Sequence, residues 1–145
     1  MAAVGEEVLI EASLAEVWDT YFEPRRWRSW VDGFDSVTSS DGYPEEGGTL
    51  RWRSNPDGRG AVSERVLEHE PRRRHRVAWT DASSEGELLT TFTMEGQAVR
   101  VRQELSYRLR EAKPLHAITD RFFVRPQMRR SLVRSLARLA AEAAS

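Results

Sequence analysis

Between Phe34 and Leu109 the chain is broken by turn signals at short, nearly regular intervals, and this punctuation constrains the fold more than any other feature. Asp41-Gly42, Gly47-Gly48, Asn55-Pro56-Asp57-Gly58, Glu70-Pro71 and Glu95-Gly96 mark the breaks. The pieces between them read as strands over Phe34–Ser40, Thr49–Ser54, Gly60–His69, His75–Thr80, Glu87–Met94 and Ala98–Leu109, with the spacing of an antiparallel meander. In the last piece Val99, Val101, Leu105, Tyr107 and Leu109 alternate with Arg100, Arg102, Glu104, Ser106 and Arg108. A period of two with one apolar side predicts a strand buried on one face and wet on the other.

Helical signals occur at two places. A first strand over Val4–Glu11 is followed by Ser13 as an N-cap and Glu16 at the capping-box position, so a short helix runs through Ala15, Val17, Trp18 and Phe22. Pro24 ends it, and Arg25–Trp30 forms one further turn. Near the C-terminus, at about 100° per residue, Met128, Leu132, Val133, Leu136, Leu139, Ala140 and Ala143 share an arc, with Arg130, Arg134 and Arg138 opposite. Leu115, Ile118 and Phe122 extend the apolar face upstream, and Pro126 predicts a kink or a fresh start.

At 145 residues the chain has room for one compact domain, residues 1–145, and not for two. Hydrophobic residues at 39% and charged residues at 31% exclude general disorder. The net charge of -1 hides an asymmetry. Met1 to Pro71 carries 7 Arg against 15 Asp and Glu, while Arg72 to Ser145 carries 14 Arg and one Lys against 8 Asp and Glu. Both halves are complex in sequence, so the expectation is acidic and basic strands interleaved in one sheet rather than a basic tail. The absence of cysteine excludes disulfides and thiolate chemistry and fits a cytoplasmic location. The N-terminus lacks the basic and apolar regions of a signal peptide, and no apolar run reaches the roughly 20 residues of a membrane helix.

A strand followed by Ser13-Leu14-Ala15-Glu16-Val17-Trp18, then Trp27 and Trp30, resembles the opening of the START-like (SRPBCC) superfamily, which includes polyketide cyclases and Bet v 1 relatives. Gly47-Gly48-Thr49-Leu50-Arg51-Trp52, Arg65-Val66-Leu67-Glu68-His69-Glu70-Pro71 and the final amphipathic helix are similar to the same family in the same order. The resemblance covers nearly the whole chain. It implies an α+β helix-grip fold: a curved antiparallel sheet of about seven strands wrapped on a long C-terminal helix, with two short helices after strand 1. It also implies a cavity for hydrophobic molecules such as lipids, quinones and polyketides, with catalysis in some members only.

Within that expectation the candidate site is as follows. Gln103 shares the phase of Val101, Leu105 and Tyr107, so its amide points inward, either as a ligand handle beside the Tyr107 hydroxyl or simply bonded to a neighbour. Strand Gly60–His69 has two possible faces, Val62, Glu64 and Val66 or Arg65, Leu67 and His69. The resemblance implies that the second lines the cavity. His69 there is a candidate general acid or base, with Arg65 and Tyr107 as proton-moving or polarising groups, or else a structural histidine. If Glu64 faces inward instead, it needs a cationic partner. Trp52, Trp79 and Phe92 are candidate pocket walls and Trp30, with Trp27, a cavity end. Phe122 and Arg129 are candidate ligand contacts on the last helix, because Arg129, and Arg125 with it, falls in the apolar arc; snorkelling to the rim is the alternative.

His69, His75 and His116 show no metal spacing, and no phosphate loop or nucleophile elbow is present. No cofactor is expected. Arg72-Arg73-Arg74-His75-Arg76 follows Pro71 and reads as a solvated turn. The function that emerges is binding of a hydrophobic small molecule, with an aromatase/cyclase or dehydratase in the same cavity as the alternative. An interaction module for RNA or an acidic partner is the third class; nucleic acid is not the expected partner, membrane insertion is not expected, and monomer and homodimer are both open.

Overall fold

The computed structural model describes residues 2–56, 58–110 and 119–145. Leu115, Ile118 and His116 lie outside the described residues. The first strand, β1 (Ala2–Ile10), leads into α1 (Leu14–Tyr21) through the expected capping box. The Ser13 hydroxyl accepts from the Glu16 amide at 3.1 Å, and the Glu16 carboxylate accepts from the Ser13 amide at 3.3 Å. Pro24 then starts a 3-10 turn over Pro24–Arg26, which runs into the four-residue α2 (Trp27–Trp30).

Six strands follow: β2 (Phe34–Asp41), β3 (Thr49–Ser54), β4 (Ala61–Glu70), β5 (Arg74–Thr80), β6 (Ser84–Glu95) and β7 (Ala98–Leu109). They differ from the sequence expectation mainly at β6, which begins three residues early. The Asp81 carboxylate accepts from the amides of Ser83 at 3.0 Å and Ser84 at 2.9 Å, so the β5–β6 turn is tighter than its sequence suggests. All seven strands form one antiparallel sheet in the order β1-β7-β6-β5-β4-β3-β2. The meander is therefore completed by β1 closing against the last strand.

The charge asymmetry resolves into cross-strand pairs. Arg100 and Arg102 on β7 meet Glu7 on β1 at 2.8 and 3.4 Å. Arg108 meets Glu85 on β6 at 2.8 Å, and Arg74 meets Glu68 at 3.0 Å. Each exposed pair is worth at most about 1 kcal/mol, but together they neutralise the outer face and oppose slipped registers. Part of the basic run Arg72–Arg76 is thus spent within the sheet.

Phe122 lies in a π-helical turn, Asp120–Val124, that precedes α3 (Arg125–Ala143). Pro126 has no N–H to donate, and the chain widens just before it, with the Arg125 amide bonding the Asp120 carbonyl. The expected interruption is therefore a fresh start, with Pro126 in the first turn of α3. Leu132, Leu136, Leu139 and Ala143 are buried. Val133 is 47% exposed, so the buried arc is narrower than the helical arithmetic suggests. The C-terminal half of α3 joins Ile10, Val17, Tyr21, Trp27 and Trp30 in the main core. Its N-terminal half spans open space above the sheet.

Candidate functional site

That open space is a cavity of about 340 Å³, enclosed by the inner face of β3 to β7, by α2 and by the first turns of α3. Strand alternation assigns its walls: Trp52 from β3, Glu64 from β4, His75, Val77 and Trp79 from β5, and Gln103 and Leu105 from β7. Trp27, Trp30 and Tyr21 close one end, Tyr43 enters from the β2–β3 connection, and Met128, Leu132 and Ser135 form the roof.

Five of the sequence candidates meet in this cavity: Trp27, Trp30, Trp52, Trp79 and Gln103. Phe92 and His69 pack behind it, in an aromatic cluster with Trp18, Tyr21 and Phe22. Tyr107 is 1% exposed and donates to the Asp120 carboxylate at 2.5 Å. Burial and that carboxylate push its phenol up to about 12, so it is committed to the π-turn rather than placed beside Gln103.

The remaining candidates face away from the cavity, each for a geometric reason. In β4 the inward set is Val62, Glu64 and Val66, so Arg65 and Leu67 point outward and are exposed. A bulge between Val66 and Glu68 absorbs Leu67, and it shifts the phase so that His69 returns to the inner side opposite His75. The face implied by the resemblance is thus the outer one for Arg65 and Leu67. Phe122, 63% exposed, sits on the π-turn, whose extra residue rotates it off the helical stripe. Arg129 reaches the β1 edge, 3.4 Å from Glu6, instead of turning under α3.

Glu64 is the group that the strand phase makes central. Its Oε2 accepts from the Trp52 indole N–H at 2.7 Å. Burial pushes its carboxyl above the ordinary carboxylate range, and the Trp52 hydrogen bond and Arg59 only partly offset this. Arg59 is held at the cavity edge by Asp81 at 2.9 Å, with its guanidinium 4.7 Å from the Trp79 ring centroid and 5.4 Å from that of Trp52. Burial pushes the Asp81 carboxyl up, but Arg59 and the Ser83 and Ser84 amides outweigh it and hold the group below its usual range.

Two phenols line the same cavity. Tyr21 shares its hydroxyl with Thr90 at 2.8 Å and Gln103 at 3.2 Å, and burial pushes it up to about 12. Tyr43 is driven well above the ordinary phenol range by burial, then by Glu64 and Tyr21, and its hydroxyl has no hydrogen-bond partner among the described residues. The Nε1 atoms of Trp30 and Trp79 and the Nε2 of His75 are also buried without partners among those residues. This is an apolar chamber with polar groups left to be satisfied. Among the described residues no group of three or more His, Asp or Glu is placed to hold a metal ion.

His69 and His75 meet through their Nδ1 atoms at 3.0 Å, so one proton is shared between two imidazoles. Burial, then the neighbouring His69, lowers His75 to about 3, and burial also lowers His69. The unfolded chain takes up a proton at His75 near the ordinary 6.5, whereas the folded chain refuses it until about 3. Stability is therefore expected to fall as pH drops through that window, by about 1.4 kcal/mol per unit from this one residue. Glu64, with its folded value raised, works in the opposite direction above its ordinary 4.5. Urea midpoints at pH 7 and pH 4.5 should differ less in His75→Gln than in the native chain; equal differences would remove His75 as the cause.

Sequence reasoning placed Trp30, Trp52 and Trp79 at the cavity, left Glu64 open as one of the two β4 faces, and did not place Tyr43 or His75 there. The alternation of His75, Val77 and Trp79 was a readable signal for the last, whereas Tyr43 sits in a connection with no periodicity to orient it.

A curved antiparallel sheet that grips a long C-terminal helix defines the helix-grip fold. The chain belongs to the polyketide cyclase / dehydrase and lipid transport family, whose model matches residues 1–144. No curated protein matches its sequence. Among solved structures, a Chromobacterium violaceum protein superposes with a TM-score of 0.75 at 15% identity, covering 100% of this chain and 99% of that one. Norcoclaurine synthase from Thalictrum flavum, as a point mutant with a transition-state analogue, matches at 0.66 and 14% identity over 99% and 96% of the two chains. A protein from the dynemicin biosynthetic locus matches at 0.68 and 22% identity over 96% of this chain and 46% of its own. At these identities the likeness is one of fold. None of the described helices is long and apolar enough to cross a membrane.

Proposed function

We propose that the protein binds a hydrophobic, oxygen-bearing small molecule of polyketide, lipid or quinone type between the sheet and α3. The observation that carries this reading is the cavity of about 340 Å³ walled by Trp30, Trp52 and Trp79. Its volume falls in the range of small-molecule sites, roughly 300–1,000 Å³. Its apolar wall provides the driving force for binding, at about 25 cal/mol per Å² of apolar surface removed from water, and its few polar groups provide orientation. Family membership and the norcoclaurine synthase and dynemicin-locus neighbours support a ligand from small-molecule metabolism.

A catalytic form of this reading, cyclase or dehydratase, is favoured by one feature: Glu64 is a carboxyl that burial pushes above its ordinary range, in a cavity that the Tyr43 phenol also lines, and such groups can serve in proton transfer. His69 and Tyr107 are committed elsewhere and Arg65 is outside, so Glu64 takes the role that the sequence assigned to them.

Native mass spectrometry on protein purified from its source organism, with a denatured control, tests the binding reading. A discrete adduct lost on denaturation, and missing from a Leu132→Trp variant whose indole fills the cavity, is the expected result. A bare mass together with RNA retention that collapses with added salt would overturn it in favour of a basic interaction module.

A further inference from the structure

We propose that the cavity takes an organic cation. Its ligand is a flat apolar molecule bearing a protonated amine, whose ammonium group pairs with the Glu64 carboxylate beside the indoles of Trp52 and Trp79. The proposal rests on the cavity-binding reading and adds a charge to the ligand.

The charges of the cavity wall do not balance. Its acids are Asp32, Glu64 and Asp81, and its cations are Arg59 and Arg134. Asp81 is paired with Arg59 at 2.9 Å, and Asp32 with Arg134 at 3.3 Å. His75 adds no charge at neutral pH, because burial and then His69 lower it to about 3. Glu64 is therefore the lining acid that forms no ion pair among the described residues, where its side chain has only the hydrogen bond from the Trp52 indole. A carboxylate enclosed without a cation is costly, and a cation brought by the ligand removes that cost.

The surroundings of Glu64 already hold a cation of the right kind. Glu64 stands opposite Trp79 in the β4–β5 register and bonds the Trp52 indole at 2.7 Å. The faces of these same two indoles carry the Arg59 guanidinium, 4.7 Å from the Trp79 centroid and 5.4 Å from that of Trp52. Arg59 itself stays with Asp81, its side chain 40% exposed. Glu64 thus adjoins two cation-binding rings without a cation of its own. Indole faces attract organic cations through the ring quadrupole, most strongly where water is excluded.

Other charged ligands fit less well. A metal ion asks for several oxygen ligands and meets a carboxylate among indoles. An anion finds both lining guanidinium groups already paired. The indole N–H groups of Trp30 and Trp79 and the Nε2 of His75 are unpartnered among the described residues, but they are neutral. They offer hydrogen bonds to polar atoms elsewhere on the ligand and do not replace the missing cation.

Three probes of one shape and different charge test the site by calorimetry at pH 7: 2-(aminomethyl)naphthalene, a cation; 2-(hydroxymethyl)naphthalene, neutral; and 2-naphthoate, an anion. The native chain should bind the amine about tenfold more tightly than the alcohol, the scale of a charge-assisted contact. The anion should bind least. Glu64→Gln, which keeps an acceptor for the Trp52 indole, should bind amine and alcohol alike, with the alcohol as in the native chain. Equal affinity for amine and alcohol, or an amine preference that survives in Glu64→Gln, would overturn the cation site and leave the cavity reading standing. Tightest binding of the anion would overturn it in favour of a guanidinium that leaves its carboxylate. Binding of none of the three to the native chain would overturn both readings. The ranking in the native chain decides alone if Glu64→Gln does not fold.

Discussion

Replacing Gly86 with alanine is expected to cost about 3 kcal/mol or more of folding stability, a loss large enough to reach the soluble yield. Gly86 lies in β6 opposite Tyr107 on one side and Trp79 on the other. A Cβ at this position would stand 1.9 Å from the Ser106 carbonyl oxygen and 2.8 Å from the Tyr107 Cα. Both are backbone atoms, so no rotamer change relieves the contact. β7 cannot retreat as a unit, because its other edge is paired with β1 from Ala2↔Tyr107 to Ile10↔Val99. The glycine permits a close approach near the start of the strand that carries Leu88 toward the cavity. Urea unfolding of Gly86→Ala beside Glu87→Ala, a neighbour on an exposed strand position, measures the effect. A loss below 1 kcal/mol in Gly86→Ala would show that the two strands are farther apart than described.

The second large effect is expected at Leu139, and its contrast with Leu132 divides α3 into two functions. Leu139 is 0% exposed and belongs to the core with Val17, Trp27 and Val99. Leu139→Ala should cost about 3 to 4 kcal/mol, within the range of a fully buried leucine in surroundings that cannot collapse. Leu132 is also buried, but it roofs the cavity. Truncating it enlarges a space that already exists instead of creating one, so Leu132→Ala should cost less than half as much while changing the affinity for cavity probes. Thermal unfolding and probe titration on the two variants separate the effects. A Leu132 loss equal to that of Leu139 would mean that the roof is packed as core.

Leu132 and Leu139 also show how far a helical pattern can be read. Their shared arc was evident from residue spacing, whereas the division into anchor and roof follows from where the sheet curves away beneath the helix. Arg129 falls in the same arc by arithmetic and yet pairs with Glu6. A guanidinium on a flexible stem follows the nearest carboxylate when one is within reach of the rim, and the position of β1 is not a local property of α3. Strand β4 makes the same point with period two. Its two faces were both readable, but only the bulge after Val66 decided that Glu64 and His69 could both face inward.

What the sequence determined by itself was everything that depends on neighbours a few residues apart. The capping box at Ser13, the strands between turn signals, the alternation that buries Val101 and Gln103, and the apolar stripe of the last helix are all local, because turn chemistry and side-chain period act over one or two residues or one helical turn. Tertiary structure alone decided three things: that β1 closes on β7, that Glu64 meets Trp52 in a cavity that Arg59 and Tyr43 also line, and that His69 meets His75. The first requires a long loop to close, the other two join neighbouring strands whose phase the β4 bulge sets, and the reward of each depends on which groups are desolvated there. Desolvation is set by the whole enclosing surface, and no window of sequence contains that surface.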